Sequence, residues 1–377
     1  MTKKTSKLLS PILSVMLLLP SCKEEKPNTT DILFPAISLD NTKDIANTEC
    51  DLSEIFTDCR IIPLETSEKS LIGGHQLKVV KSGTQYYVKS ENDVVIFDKE
   101  GRFVNRLSHV GGGPGEYDSL FDFEVMPQHN EIWISSSKGI YRYDATTMNF
   151  NSLIPLSFFA NAFKYVDEET ILAMTPDENT YKVFSMAGEV TQSYYDKDTA
   201  NSVDSPVDFL KIDNLIVNQL GTSNDVVCFD PATKEFSIRR LNDPSGNLET
   251  AEINREYMDK HGYFDFPDKV AADYIGISSF RKVGDTVLEV LRYPSQEWAL
   301  AVSQGDNTKI FPYYPSEKSV ITNNVTPPPT DPRLINTLIV GESSDSFLFL
   351  IYPDSDTDES NPHLLEVLKV SQPTPTK

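Results

Sequence analysis

Cysteine is scarce in this sequence, and its few cysteines are irregularly spaced. The chain of 377 residues contains four, at Cys22, Cys50, Cys59 and Cys228. A disulfide-stapled scaffold needs a denser set, and no CxxC pair or zinc-ligand spacing occurs. Cys50 and Cys59 are close enough in sequence to pair, and separate buried thiols are the alternative. Neither a disulfide framework nor a structural metal is therefore predicted to organise the fold.

Long hydrophobic runs are also missing, apart from one short segment near the N-terminus. Leu8 to Leu19 is mostly apolar but contains Pro11, and the basic residues before it are Lys3, Lys4 and Lys7. As a helix this segment would rise about 18 Å, whereas the hydrocarbon core of a bilayer is about 30 Å thick. The pattern predicts a cleaved signal peptide over residues 1–21 rather than a permanent membrane span.

The residues that follow this segment predict a lipid anchor. Leu19-Pro20-Ser21-Cys22 resembles the bacterial lipobox, in which the cysteine carries diacylglycerol, so Cys22 is the predicted attachment site and the membrane a partner. A secretory signal with an incidental cysteine is the alternative. Lys23-Glu24-Glu25 resembles a signal that sends some Bacteroidota lipoproteins to the outer surface, and a solvated tether is its alternative. Residues 22–50 are predicted to be a flexible tether.

Basic residues are few compared with acidic ones. The chain has 34 Lys and Arg against 56 Asp and Glu, a net charge of −22. Removal of residues 1–21 takes away three lysines and no acid, which brings the mature charge to −25. So acidic a protein repels phosphate backbones, and nucleic acid is excluded as a predicted partner. Cations, neutral sugars and peptides remain open.

Sequence motifs for catalysis, metal or cofactor binding are absent. The five histidines form no HExxH pair, and no GxSxG elbow occurs. The glycine-rich stretch fails both phosphate-loop patterns, because Glu116 takes the position of the last glycine and no Gly-Lys-Ser/Thr follows. This stretch consists of Gly111, Gly112, Gly113, Pro114 and Gly115. Asp354 to Glu359 resembles the start of a calcium loop, but Glu359 and Leu365 replace its required Gly and Glu. A solvated hairpin is predicted there, with no metal and no cofactor.

Pairs of acids are the one ingredient of glycoside chemistry that the chain does supply. Asp122 and Glu124 form such a pair, as do Glu168 and Glu169. Two carboxylates suffice for that reaction. Among 56 acids, however, such pairs arise by chance and predict little.

What the sequence does contain is an internal repeat. Four segments end an alternating strand in an aromatic residue and a polar turn, and the matched positions are Asp98, Asp144, Ser185 and Asp230. Their spacing of 46, 41 and 45 residues is the length of a four-stranded propeller blade. Two less regular units follow, with strands predicted at 285–291, 298–302 and 309–313, then at 338–340, 346–351 and 363–370.

Two segments fall outside the repeat. The strand Cys59 to Leu64 has no blade of its own before it and is predicted to close the ring by joining the last blade. An insertion over residues 242–274 separates units four and five. It contains a predicted helix from Leu248 to Lys260, and we expect it to border a binding face or to cover the rim.

Residues of the first predicted blade resemble those of a known family. His109-Val-Gly-Gly-Gly-Pro-Gly-Glu-Tyr117 follows Val94-Val-Ile-Phe-Asp-Lys-Glu-Gly101 and lies downstream of Ile61-Ile-Pro-Leu-Glu65. Together these stretches resemble the six-bladed β-propeller lipoproteins of Bacteroidota, relatives of NHL-repeat propellers. The resemblance spans nearly all of residues 51–370 and implies fold and compartment, with little about ligand.

These observations predict an all-β, six-bladed propeller over residues 51–370 with a tail at 371–377. The expected function is non-catalytic binding of a glycan, a peptide or an envelope protein at one mouth of the channel, in an outer-membrane lipoprotein. Glu116 and Tyr117 are weak candidates for the edge of a ligand cleft, whereas the glycines and Pro114 are expected to shape the chain. The alternatives are a carboxylate- or metal-dependent glycosidase or lyase at the channel mouth, and a structural subunit without a small ligand.

Overall fold

The fold is a six-bladed β-propeller. The computed structural model describes residues 32–34, 50–73, 78–176, 179–196, 208–242, 247–295, 297–305, 307–313, 319–321, 325–326, 333–334, 341–351 and 360–370. Within them the strands form six twisted sheets arranged as blades and one small three-stranded sheet. The predicted fold class is therefore confirmed.

The first blades follow the chain in order. Before them come β1 (Cys50–Asp51), a short 3-10 helix (Leu52–Glu54) and β2 (Phe56–Pro63). Blade 1 consists of β3 (Val79–Ser82), β4 (Gln85–Ser90), β5 (Asp93–Asp98) and β6 (Phe103–Leu107). Blade 2 consists of β7 (Asp122–Met126), β8 (Glu131–Ser136), β9 (Gly139–Asp144) and β10 (Phe150–Pro155). Blade 3 consists of β11 (Ala162–Asp167), β12 (Thr170–Met174), β13 (Asn179–Phe184) and β14 (Val190–Asp196).

The next two blades enclose the insertion. Blade 4 consists of β15 (Leu210–Ile212), β16 (Leu215–Gln219), β17 (Asp225–Asp230) and β18 (Glu235–Arg240). The helices α1 (Ala251–His261) and α2 (Phe266–Asp273) follow. Blade 5 consists of β19 (Gly276–Val283), β20 (Thr286–Arg292), β21 (Trp298–Gln304) and β22 (Asn307–Pro312).

The last blade is built from both ends of the domain. After the short strands β23 (Ser319–Ile321), β24 (Val325–Thr326), β25 (Arg333–Leu334) and β26 (Gly341–Glu342) come β27 (Phe347–Ile351) and β28 (His363–Val370). The sheet order is β24-β2-β28-β27, so the early strand β2 pairs antiparallel with β28. β26 runs parallel to β3 and joins blade 6 to blade 1. The predicted closure by the early strand is confirmed.

Among the described residues, six hydrophobic clusters lie one between each pair of neighbouring blades, and a small seventh lies between the helices of the insertion. Strand alternation explains this arrangement, because successive side chains point to opposite faces. In β5, Val94 and Ile96 pack against blade 2, whereas Val95 and Phe97 pack against blade 6. β5 is thus apolar on both faces, and each face is buried against a different neighbouring blade.

The repeated polar residue has a local structural role. Asp98 accepts a hydrogen bond from the backbone N–H of Glu100 at 2.9 Å, and Asp144 accepts one from Thr146 at 3.0 Å. Ser185 and Asp230 accept equivalent bonds from the residue two positions on. Such self-capping of a turn is the usual reason for Asp or Ser at its first position. The repeat seen in the sequence is therefore a repeat of one turn in the outer hairpin of blades 1 to 4.

One buried carboxylate holds the closing strand in place. Glu366 of β28 contacts Arg60 of β2 at 2.6 Å, Lys81 of β3 at 2.7 Å and the hydroxyl of Tyr86 of β4 at 3.0 Å. Burial disfavours its charge, but the hydrogen bonds from Lys81 and Arg60 and their positive charges outweigh this, so the pKa of Glu366 is lowered. The carboxylate links the closing strand, blade 6 and blade 1.

The insertion is more helical than expected. The predicted helix is present as α1, capped by the Thr250 hydroxyl, but α2 follows it over a stretch that contains Pro267. Proline is tolerated there because it occupies the first helical turn, where its missing N–H has no intrahelical partner. Among the described residues, no helix is long and apolar enough to cross a bilayer.

The innermost strands of blades 1 to 5 were not predicted individually, and they line the channel. In blade 5, for example, β20, β21 and β22 match the predicted strands within three residues, while β19 lies inside them unpredicted. In blade 6 the predicted strand at 338–340 lies outside the described residues, as do Cys22 and the acidic loop from Asp354 to Glu359.

Candidate functional site

The innermost strands carry a recurring pair, in which a charged residue follows a phenylalanine. Phe123-Glu124, Phe163-Lys164 and Phe280-Arg281 lie on β7, β11 and β19. Each phenylalanine is buried in an inter-blade cluster and fixes its strand. The next residue points the other way, because side chains alternate along a strand. The three charged residues, Glu124, Lys164 and Arg281, all line one cavity.

An ion network crosses the channel. The Lys78 ammonium lies 2.8 Å from Asp122 and 3.7 Å from Asp208, and Arg281 lies 3.4 Å from the other oxygen of Asp208. Lys78 precedes the inner strand of blade 1 and Asp208 that of blade 4, which stand opposite each other in a six-membered ring. We call Lys78, Asp122, Asp208 and Arg281 the channel plug.

Lys78 and Asp122 are buried, whereas Asp208 and Arg281 are half-buried. Asp122 also accepts the backbone N–H of Phe163 on blade 3, at 3.1 Å. Burial raises the pKa of Asp122 despite its contact with Lys78. Nearby, Lys89 donates to the carbonyl oxygen of Phe121 at 2.7 Å, and burial lowers its pKa. The plug therefore holds fixed charges in a poorly solvated environment, where unbalanced charge is costly.

A cavity of about 570 Å³ opens on one side of the plug. We call it the mouth cavity, because its wall includes the turns that connect the inner strands to β4, β8, β16 and β20. All six blades contribute to its wall, and the residues are 80–82, 123–125 with 127, 164, 210–213, 281–284 and 343, 344, 346 and 347. Arg281 belongs both to this wall and to the plug, so the plug lies at the inner end of the cavity. A volume of this size is typical of small-molecule sites.

The charge of the cavity wall is opposite in sign to that of the protein. Five of its side chains are basic, Lys81, Lys164, Lys211, Arg281 and Lys282, and two are acidic, Glu124 and Asp213. The chain as a whole has a net charge of −22. Apolar residues such as Phe123, Val125, Leu210 and Phe347 fill the spaces between the charges. The cavity is thus a mixed apolar and basic cup in an acidic molecule.

Both acids that line the cavity are engaged by cations. Glu124 contacts the Lys164 ammonium at 2.7 Å and accepts the backbone N–H of Tyr165 at 2.8 Å. Asp213 contacts Lys282 at 2.6 Å. Of the acid pair noted in the sequence, Asp122 lies in the plug and Glu124 in the cavity wall.

The weak candidates Glu116 and Tyr117 lie away from this wall. The Tyr117 side chain is buried, and its hydroxyl donates to the carbonyl oxygen of Asn92 at 2.7 Å. Glu116 accepts the backbone N–H of Gly113 at 2.7 Å and so closes its own glycine loop. Neither residue lines the mouth cavity. Their role in ligand binding stays a prediction.

The glycine loop requires glycine for geometric reasons. Gly115 has φ of +77°, and a Cβ there would meet the Phe150 ring at 2.6 Å. A Cβ at Gly111 would collide with the Glu116 carboxylate. His109, just before the loop, stacks on Tyr143 with ring centroids 5.1 Å apart. The loop is thus shaped by its own side chains at the junction of blades 1 and 2.

Within the described part of the chain, no group of three or more His, Cys, Asp and Glu side chains is arranged to hold a metal ion. Cys59 and Cys228 are buried thiols. Burial and the neighbouring charge of Asp58 raise the pKa of Cys59 to about 11, which makes it a poor nucleophile. The pairing of Cys50 stays open.

The lysines and the arginine of the cavity were missed at the sequence level. The signal for them is the aromatic-charged pair that recurs on the inner strands, with Phe209 two positions before Lys211 as the blade 4 variant. The spacing of the repeat is set by the turns of the outer hairpins and does not mark the inner strands. Alignment of the inner strands would have placed the charged residues in one ring.

Solved structures of other proteins have a fold similar to that of this chain over most of its length. A candidate exported protein of Bacteroides fragilis NCTC 9343 is similar with a TM-score of 0.65 and 14% identity, over 90% of this chain and 100% of that one. A DUF4221 member from Bacteroides vulgatus ATCC 8482 has a TM-score of 0.50 and 12% identity, over 83% of this chain and 97% of that one. No curated protein matches the chain. The pattern of a domain of unknown function, DUF4934, matches residues 35–248, more than half of the sequence, and the chain therefore belongs to the DUF4934 family.

Proposed function

We propose that this chain is an exported lipoprotein, anchored through Cys22 in the outer membrane, whose propeller binds a ligand in the mouth cavity without converting it. The observation that supports binding is the mouth cavity, a concave site of about 570 Å³ to which every blade contributes. Propellers bind ligands where blade loops converge at a channel mouth, and sites of this volume enclose small molecules. A glycan or the end of a peptide suits such a cup better than a flat protein surface does.

Export and anchoring are supported by different observations. The basic n-region, the short apolar run and the cysteine at its end resemble a lipoprotein signal. The similar protein from Bacteroides fragilis is itself described as a candidate exported protein. Several acyl chains on one cysteine would hold the protein at a membrane firmly, since each buried CH₂ contributes about 0.8 kcal/mol.

Lipid labelling tests the anchor. The full chain is expressed in a Gram-negative host that is fed an alkyne analogue of palmitate. Incorporation is expected in the wild type and in the control Cys59→Ala, and none in Cys22→Ala. Equal labelling of Cys22→Ala and the wild type would disprove the anchor.

A blocked cavity tests the site. Ser82 lies in the cavity wall beside a turn, so Ser82→Trp should fill the mouth, whereas Lys138→Trp adds the same bulk to an exposed turn at the opposite end of blade 2. Glycans and peptides that raise the melting temperature of the wild type should raise that of Lys138→Trp and not that of Ser82→Trp. An unchanged response of Ser82→Trp, or chemical turnover of any ligand, would contradict the proposal.

A further inference from the structure

The basic side chains of the mouth cavity are not equally available to a ligand. Lys81 contacts Asp345 at 2.8 Å and Glu366 at 2.7 Å, and Lys164 contacts Glu124 at 2.7 Å. Arg281 contacts Asp208 at 3.4 Å, and Lys282 contacts Asp213 at 2.6 Å. Each of these four cations has a carboxylate that balances its charge.

Lys211 differs from the other four. Its side chain is exposed in the cavity wall, between the buried residues Leu210 and Ile212 of the short strand β15. Among the described residues it has neither an ion-pair partner nor a hydrogen-bond partner. Among the described residues of the wall, Lys211 therefore carries a positive charge that no carboxylate balances.

A single unbalanced charge selects the charge of the ligand. A dianion would bring one charge that Lys211 does not balance, in a wall whose other four cations already have carboxylate partners. A cation would meet Lys211 without compensation. Like charges in a partly desolvated site are costly, whereas one opposite charge is attracted. The balance therefore favours a monoanion.

The rest of the wall limits what carries that charge. Phe123, Val125, Leu210 and Phe347 offer apolar contact, while Ser82, Ser343 and Ser344 offer hydroxyl groups. A compact molecule with a polar rim, an apolar face and one carboxylate matches these surfaces. Hexuronic acids and comparable hydroxylated carboxylates have this chemistry.

We propose that the mouth cavity binds a small hydroxylated monocarboxylate of the hexuronate class, with Lys211 as the residue that recognises its charge. This inference rests on the proposed function, because it names the ligand class of the same cavity. Lys211 pairs with the carboxylate, and Arg281 at the inner end stays bound to Asp208.

Three sugars of the same shape and different charge test the proposal. Galacturonate, galactose and galactosamine are titrated calorimetrically into the intact protein, and inorganic sulfate, together with phosphate at a pH well above its second pKa, serves as a dianion. Galacturonate is expected to bind at least about fivefold more tightly than galactose, the effect of about 1 kcal/mol from one ion pair. Galactosamine should bind most weakly of the three. Added salt should weaken galacturonate binding and leave galactose unaffected.

Two matched variants assign the effect to one residue. Lys211→Gln should lower galacturonate affinity to that of galactose. Lys138→Gln, which removes the same charge from the opposite end of blade 2, should not. Equal affinity for the three sugars, tighter binding of sulfate or phosphate, or an unchanged Lys211→Gln would overturn the inference.

The two proposals fail in different ways. If a neutral ligand binds the wild type and is excluded by Ser82→Trp, the cavity is a binding site and only the monoanion inference is wrong. If galacturonate binds Ser82→Trp and the wild type equally, the site itself lies elsewhere and both are wrong.

Discussion

Glu289 is a buried acid on an otherwise apolar surface. It lies on β20 between Val287 and Leu291, which pack against blade 4, and its described hydrogen bond is from the Asn242 side-chain amide at 2.6 Å. Burial raises its pKa to about 7. The folded protein therefore holds a proton that the unfolded chain releases near pH 4.3. Stability falls as the pH rises between these two values.

Glu289→Gln is expected to stabilise the protein at pH 8 by about 3 kcal/mol, because the amide removes the cost of the buried charge. Near pH 4 the gain should be small. Denaturant unfolding at both pH values measures the difference, with the exposed Glu235→Gln as a control that should have little effect. A gain that does not depend on pH would show that the pKa of Glu289 is the same in the folded and the unfolded protein.

Removal of a charge from the channel plug is expected to destabilise the protein, whereas removal of the Glu289 charge is expected to stabilise it. Lys78→Met leaves Asp122 and Asp208 without the cation between them, and removal of one partner from a buried pair costs about 3 kcal/mol or more. The double variant Lys78→Met/Asp122→Asn should recover part of that loss in guanidinium unfolding. Additive losses in the double variant would show that the two charges do not interact.

At the scale of elements, the closing strand β2 leaves no room for a side chain in the turn between β5 and β6 of blade 1. Gly101 has φ of +80°, and a Cβ there would collide with the carbonyl oxygen of Pro63 at the end of β2. Gly83 has φ of +58°, with no atom within 4 Å of its added Cβ. Gly101→Ala should therefore lower the melting temperature clearly more than Gly83→Ala, since both lose backbone freedom but only one displaces the closing strand. Equal losses would place β2 away from this turn.

The stability of the closed ring should also depend on pH. The pKa of Glu366 is lowered, so its contribution is complete above the ordinary carboxyl range near 4.3 and is lost as the pH falls through the lower folded value. Glu366→Gln should therefore destabilise the protein at pH 7 and reduce the acid dependence of unfolding between about pH 2 and 5. Glu100→Gln, an exposed change in blade 1, should leave both as they are. An unchanged acid dependence in Glu366→Gln would rule out this linkage.

The elements that sequence patterns predicted well are those with a local cause. Asp98, Asp144, Ser185 and Asp230 cap their own turns, so their repeat is visible without any tertiary contact. The helix α2 was missed because Pro267 reads as a breaker unless the start of the helix is known. Its position in the first turn depends on the preceding chain.

At the scale of the molecule, the candidate site depends on contacts between distant parts of the sequence. Lys78 and Asp208 are far apart in the chain and meet only because blades 1 and 4 stand opposite each other. No spacing in the sequence reports such a contact. The ring of six blades could be predicted from the repeat, whereas the plug and the uncompensated charge of Lys211 could not.

The mouth cavity exists only if the ring is closed, because all six blades form its wall and β2 completes blade 6. Amide hydrogen exchange of the intact protein, read by mass spectrometry, tests this most directly. Peptides that cover residues 56–64 are expected to exchange as slowly as those of β28, and to lose protection together with blade 1 when denaturant is added. Fast exchange of residues 56–64 beside a protected β28 would contradict the closed ring.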